Sequence, residues 1–383
     1  MKKSFVLTVV ATCFVLVLFA GCGSDESGTV SEPEKKEPTT APQEEAPGSD
    51  SKLDGALPEA DSIKKMRVQL GETGDERKPL IRVCLLPKKK GLPYFSSCAA
   101  GAYEAVKELG NVKLIYDGPT DGSAEKAASM IDKWVLQKVD VIAVSPNDPD
   151  VLAPAMKKAR ERGIKVITWD ADGVKDSRDL FVNQATARDI GYALVDAMAK
   201  DLGGEGPEGD VAIVTATLTA ANQNEWIEHM EKRLEEYPKM NLVAVKPSNE
   251  DQKVAFQVAQ DLMKAFPGLK GLFGISSVAF PGAAEAVKQA GKSGEVLVTG
   301  LSTPNNMREY VHGGTVKSVV LWNTGDLGYL TVMVADALAL GTLSPGDNAF
   351  NAGRLGEKKI EGDNVLLGDI LVFTKDNIDQ FNF

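Results

Sequence analysis

The chain reads as an α/β protein of two doubly wound parallel-sheet lobes, joined by a hinge that the chain crosses more than once. Three observations predict this. From residue 81 onward, short apolar strand patterns alternate with amphipathic helical ones, as in repeated βαβ units. The alternation restarts after Phe181-Val182-Asn183, which makes two similar halves in tandem. At 383 residues the chain is also too long for one ordinary core.

In the first half, strands are expected at residues 81–86, 112–116, 141–144 and 165–168, with helices at 94–109, 123–137 and 151–162. The second half opens with a helix at 187–201. Its strands follow at 211–214, 242–245, 272–275, 296–299 and 316–321, and its helices at 223–237, 251–266, 281–290 and 305–312. A helix at 326–340 returns to the first lobe, and residues 370–373 cross the hinge again. The expected lobes are therefore 79–183 with about 324–369, and 184–323 with about 370–383. Two lobes with several crossovers enclose a cleft that closes around a ligand by hinge motion.

The amino-terminal segment has its own logic. Met1-Lys2-Lys3 is a positive start, and residues 5–20 form an apolar run short for a membrane span. Leu18-Phe19-Ala20-Gly21-Cys22 resembles a lipobox, with Phe19 where the usual pattern has Leu. Residues 1–21 are thus expected to be a lipoprotein signal peptide, with Cys22 as the lipidated residue. Residues 22–78, rich in Glu, Pro, Ser, Thr, Gly and Lys, would form a flexible tether. The protein is expected outside the cytoplasm, held to the membrane through this anchor only.

Composition and motifs exclude several functions. The formal net charge of -11 disfavours nucleic acid as a partner. The two histidines, His229 and His312, lie in helical patterns without metal-binding spacing, and no nucleophile elbow, zincin or Walker motif is present. Gly203-Gly204-Glu205-Gly206 precedes a strand, where a dinucleotide fingerprint would follow one. No catalytic residue, metal or cofactor is expected. Cys13 leaves with the signal peptide; Cys84 and Cys98 read as buried thiols acting as small hydrophobes, with a disulfide as the alternative.

The candidate site centres on Gly163 to Asp172, GIKVITWDAD. Ligands of open parallel sheets gather beyond the carboxyl ends of strands. Here Trp169 offers a flat face and Asp170 two acceptor oxygens, a pairing suited to a polyhydroxylated small molecule. The bland alternative is a Trp capping the core and an Asp capping a turn. Lys88 follows the first strand, and Tyr94 and Phe95 open the first helix, to flank a ring or simply to pack. Asn222 and Gln223 stand at another helix start, where Asn222 would serve equally as an N-cap. Pro281 suits a helix start by itself. Trp322-Asn323 ends the last strand of the second lobe, as pocket wall or core, and Asn183-Gln184 are assigned to the hinge.

These stretches resemble the type I periplasmic substrate-binding proteins of sugar ABC transporters, and within them the rhamnose-binding and autoinducer-2-binding group. The likeness covers roughly Arg82 to Phe383 and is carried by TWDAD, ANQNEW, VAFPGAA, LSTPNNMR and the ending VFTKDNIDQFNF. It implies two Rossmann-like lobes and no enzymatic activity. It also implies a monomer that delivers a small monosaccharide, or autoinducer-2, to an ABC permease. Autoinducer-2 receptors of the group hold their ligand with a lysine, a cleft aspartate, an Asp-Gln pair, and a proline and alanine from a loop. Those positions fall here on Lys88, Asp170, Asn222-Gln223, and Pro281 with Ala283. Asn222 departs from the pattern, because it lacks the charge, and so favours a sugar. The rivals are an autoinducer-2 receptor, a sensory subunit, and a lipoprotein carbohydrate-active enzyme.

Overall fold

The computed structural model describes residues 79–204 and 206–383. The expectations for the signal peptide, Cys22 and the tether fall outside the described residues. In the first lobe β1 (Ile81–Leu86), β2 (Val112–Tyr116), β3 (Val141–Val144), β4 (Lys165–Trp169) and β5 (Leu180–Asn183) alternate with α1 (Pro93–Leu109), α2 (Ala124–Leu136) and α3 (Pro149–Glu161). β1 and β3 read as almost unbroken apolar runs because helices cover both faces of a parallel sheet. Polar side chains set the helix starts. Ser123 caps α2 by accepting from Lys126 N, and Asp148 caps α3 from Asp150 N and Val151 N.

The second lobe repeats the scheme. After α4 (Ala187–Asp201) come β6 (Gly209–Thr215), α5 (Ala221–Leu234), β7 (Met240–Pro247), α6 (Gln252–Ala265), β8 (Leu269–Gly274), α7 (Ala279–Gln289), β9 (Leu297–Leu301), α8 (Pro304–His312) and β10 (Val316–Leu321). The five parallel strands stand in the order β5-β4-β3-β1-β2 in one sheet and β10-β9-β8-β6-β7 in the other. The order reverses between β1 and β3, and again between β6 and β8. Each sheet therefore has a switch point of the kind where doubly wound proteins bind ligands.

The chain passes between the lobes three times: after β5, after β10, and on the way to β14 (Leu371–Phe373), which pairs antiparallel with β10. Between the last two crossings, α9 (Thr324–Leu340) packs along α1, and β11 (Ala349–Asn351), β12 (Glu357–Glu361) and β13 (Asn364–Leu366) extend the first sheet beyond β5. Sequence patterning missed these three strands. β12 is EKKIE with only Ile360 buried, so the edge carries no apolar alternation. Arg178, its side chain 1% exposed, ties the edge down by pairing with Asp363 next to β13 and with Asp172 after β4.

Two local expectations are corrected. The residue before α5 that serves as its N-cap is Ala220, without a side-chain cap bond, so Asn222 lies inside the helix. α7 starts at Ala279, two residues before Pro281. Cys84 and Cys98 are free and buried, and burial pushes the Cys84 thiol up to about 12 against the opposing Arg82 charge.

The α1–α9 contact shows how closely the first lobe is built. A Cβ on Gly328 would sit 1.7 Å from the Cys98 carbonyl oxygen, and one on Gly101 would sit 1.8 Å from that of Gly325. Backbone meets backbone here, so no side chain can move aside. Gly328→Ala is therefore expected to destabilise the fold by roughly 2 kcal/mol or more. Urea unfolding of the purified variant measures this; an unchanged midpoint would contradict the packing.

Candidate functional site

The carboxyl ends of the parallel strands in the two lobes face each other across one cavity. Its first-lobe wall takes Lys88 from the loop after β1, Tyr94 and Phe95 from the first turn of α1, and Asp170 from the end of β4. The second-lobe wall takes Asn222, Gln223 and Trp226 from α5, Glu250 after β7, residues 275–277 after β8, and Trp322 after β10.

Asp170 is the centre. It is 5% exposed and has a φ of 65°, the left-handed region that Asp tolerates better than most residues. That turn at the strand end swings the carboxylate out of the β pattern. The Tyr94 hydroxyl donates to Oδ1 at 2.7 Å, the Ser145 hydroxyl donates to Oδ2 at 2.8 Å, and Lys88 Nζ stands 3.3 Å from Oδ2. Gln184 Nε2 donates to the Asp170 backbone carbonyl at 3.0 Å, so Gln184 braces the site from the crossover. Burial and the Asp170 charge hold the Tyr94 phenol well above its ordinary range, so it stays a donor.

Side chains also bond across the cleft. Lys88 Nζ donates to Asn222 Oδ1 at 3.2 Å, and Trp322 Nε1 donates to the Tyr94 hydroxyl at 3.1 Å. The rings form a chain of edge-to-face contacts from Phe95 to Tyr94 (5.0 Å), Tyr94 to Trp322 (6.1 Å) and Trp322 to Trp226 (6.2 Å). Gln223 Oε1 accepts from Thr215 Oγ1 and Ala216 N, which fixes its amide orientation and leaves Nε2 as a donor. Glu250 is pushed up by burial and by the Asp170 charge, against Lys88 and Lys89, and its Oε2 is buried without a partner.

The inner cavity has a volume of about 50 Å³, room for a few waters, so a larger ligand requires the lobes to part. Beyond Asn222 and Trp226 lies an outer pocket of about 350 Å³, bordered by Asp172, Lys175, Asn183 and Glu225. Asp172 is committed elsewhere: it accepts from Thr168 Oγ1 at 2.6 Å and from Arg178 Nε at 2.8 Å. Asp170 and Asp172 thus work in different networks and do not form an acid–base pair.

The structure does not bring every expected residue into this cavity. Trp169 is the last residue of β4 and fully buried; its side chain packs edge-on against Phe95 at 5.7 Å behind the wall, because strand alternation points it into the core. Pro281 and Ala283 are buried within α7, and the backbone that reaches the cavity from that connection is Ile275-Ser276-Ser277. Asn323 caps α9 by accepting from Asp326 N at 3.1 Å and does not line the cavity. Ser145, Trp226, Glu250 and residues 275–277 were missed. Ser145 and residues 275–277 directly follow strands at the two switch points, which is a legible signal; Glu250 has no periodicity to mark it.

Two α/β lobes, facing strand ends and a buried polar cluster between them define a cleft-type binding protein. The comparisons with known proteins agree: the chain belongs to the periplasmic binding protein domain family, whose match spans residues 83–343. It is 26% identical over 249 residues to the D-apiose import binding protein of Actinobacillus succinogenes, covering 64% of this chain and 77% of that protein. Among solved structures it resembles LsrB from Clostridium saccharobutylicum in complex with AI-2 (27% identity, TM-score 0.75, 79% of this chain and 100% of that one). It also resembles an ABC transporter solute binding protein from Clostridium phytofermentas with bound L-rhamnose (29% identity, TM-score 0.75, 79% and 98%). The family places such proteins outside the cytoplasm, and the relatives are sugar-binding proteins of ABC importers rather than enzymes.

Tyr94 links the lobes through its hydroxyl, so Tyr94→Phe strips Trp322 Nε1 and Asp170 Oδ1 of one partner each. Buried groups left unpaired cost about 1–3 kcal/mol. Denaturant unfolding without ligand is expected to show a loss of that order, and no loss would mean the cross-cleft bond is idle.

Proposed function

We propose that the protein captures a monosaccharide between its lobes and hands it to an ABC import permease, making and breaking no covalent bond. The observation that carries this reading is the Asp170 cluster. A buried carboxylate, a lysine, a phenol, a serine and an amide converge from both lobes beside the rings of Phe95, Trp226 and Trp322. Hydroxyl-rich rings need many placed donors and acceptors together with apolar faces. Lys88, already bridging Asp170 and Asn222, would exchange part of that bridge for ligand oxygens. The sugar-binding relatives support the same reading.

A second ligand, autoinducer-2, is favoured by the likeness to the LsrB complex. Against it stands Asn222, a neutral amide where the resemblance implies a carboxylate. Charge-assisted hydrogen bonds are roughly twice as strong as neutral ones. The amide accepts with one side and donates with the other, which a sugar hydroxyl satisfies in either orientation. Lys88, Tyr94, Phe95, Asp170, Asn222, Gln223 and Trp322 are the proposed ligand contacts, and Cys22 the proposed lipid anchor of a monomer with no cofactor.

Calorimetric titration with L-rhamnose, D-ribose, D-allose, D-apiose and autoinducer-2 tests the ligand. One of the sugars is expected to bind, and Asp170→Ala to weaken it about a hundredfold or more, since two charge-assisted bonds at roughly 1.5–3 kcal/mol each are lost. Asn222→Asp is expected to shift relative affinity toward autoinducer-2 by about tenfold. Tight autoinducer-2 binding by the unaltered protein with no response to any sugar would overturn the reading. For the anchor, Cys22→Ala is expected to abolish lipid labelling and membrane fractionation; a lipid-labelled mature variant would refute it.

A further inference from the structure

Glu250 belongs to no motif that the sequence singles out. It follows β7 in a loop where Asn249 and Glu250 have φ of 54° and 51°, an unfavourable conformation for two successive non-glycine residues. The loop is held there by the Ser248 and Asn249 backbone N–H groups, which donate to the carbonyls of Thr215 and Ala216 at 2.7 Å each. From the other lobe Lys89 Nζ donates to the Glu250 carbonyl at 3.2 Å. The strained turn carries the side chain into the inner cavity beside Lys88, Asp170 and Asn222. Its Oε2 is buried there without a hydrogen-bond partner. A buried carboxylate oxygen without a hydrogen-bond partner is costly, and a strained backbone adds to that cost, which marks a site awaiting a donor.

We propose that Glu250 is a specificity-determining residue of the cleft, its Oε2 accepting one hydroxyl of the ligand, so that the site takes sugars carrying that hydroxyl and rejects their deoxy counterparts. This rests on the sugar-binding reading above. The discrimination has a physical source: a pocket built to bond a hydroxyl rejects the analogue without it far more strongly than an apolar pocket does, because its own buried polar group stays unpaired. Asp170 has three side-chain donors in place and can hold a ligand hydroxyl only by exchange. Glu250 Oε2 has none, so the missing hydroxyl is felt there in full.

The charges facing Glu250 are Lys88 and Lys89 from the loop after β1 and Asp170 from the end of β4; Ser276 adds a hydroxyl. The neighbouring Asp251 carboxylate is occupied in capping α6. Burial, reinforced by Asp170, raises the Glu250 carboxyl above its ordinary range against the two lysines. A donated ligand hydroxyl favours the ionised form. Affinity should therefore fall as pH drops below the raised value and level off above it.

The test uses the intact folded protein, with L-rhamnose, D-ribose, D-allose and D-apiose and the monodeoxy analogues of each, titrated into wild type, Glu250→Gln and Glu250→Leu. Neither variant costs Oε2 a partner, and the contact at stake is the Ser276 hydroxyl, so both are expected to stay close to the wild-type unfolding temperature. For the sugar that binds, wild type should reject one deoxy analogue by about a hundredfold, and Glu250→Leu should discriminate that pair by less than about fivefold. Glu250→Gln should keep part of the discrimination and lose the acid limb of the pH profile. Discrimination or a pH profile unchanged in the variants overturns the role of Glu250 while leaving the sugar reading intact. Binding of none of the sugars by wild type overturns the sugar reading, and the Glu250 assignment with it.

Discussion

The site depends on seating the Asp170 carboxylate, almost wholly buried, among donors at the end of a central strand. A buried charge without partners costs several kcal/mol, so the surroundings must supply donors before any ligand arrives. Tyr94 comes from α1, Ser145 from the end of β3, Lys88 from the end of β1 and Gln184 from the first interlobe crossing. Each is separated from Asp170 in sequence, and each is delivered by an element whose place in the sheet order leaves little freedom. The left-handed turn at Asp170 turns the carboxylate toward the first three, while its backbone carbonyl accepts from Gln184.

The same residues join the lobes. Lys88 serves Asp170 on its own side and Asn222 opposite, while Tyr94 donates to Asp170 and accepts from Trp322. Hydrogen bonds that orient the carboxylate therefore also hold the lobes together, so ligand entry and lobe separation compete for the same groups. The edge-to-face rings between Phe95 and Trp226 give this junction an apolar body, which lowers the local dielectric and strengthens the bonds within it.

Much of the architecture was legible in the chain. Apolar runs of four to six residues alternating with helical patterns leave few options other than parallel strands covered on both faces. The break after Asn183 marked the second half. The edge formed by β11 to β13 was not legible, because its short charged strands are held by Arg178 and by pairing with β5 and not by an apolar pattern of their own. Within the site, Lys88, Tyr94, Phe95, Asp170, Asn222, Gln223 and Trp322 meet in one cavity, and each lies just past a strand end or in the first turn of the helix that follows one. Trp169 does not line that cavity, because one residue of strand length decides which way a side chain points. Pro281 and Ala283 lie four and six residues beyond Ser277, inside α7, and Asn323 lies one residue past Trp322, so none of the three lines the cavity.

By itself the sequence determined the two-lobed α/β class, the neighbourhood of the cleft and the lack of any recognisable catalytic motif, since these follow from periodicity, composition and proximity to strand ends. Only the tertiary structure decided which neighbours of the strand ends reach the cavity, and that Glu250 joins them. The physical reason is that side-chain direction near a strand end depends on a single dihedral pair. The φ of 65° at Asp170 and those at Asn249 and Glu250 are imposed by contacts distant in sequence, through Gln184 from the crossover, the carbonyls of Thr215 and Ala216 and Lys89 from the opposite lobe.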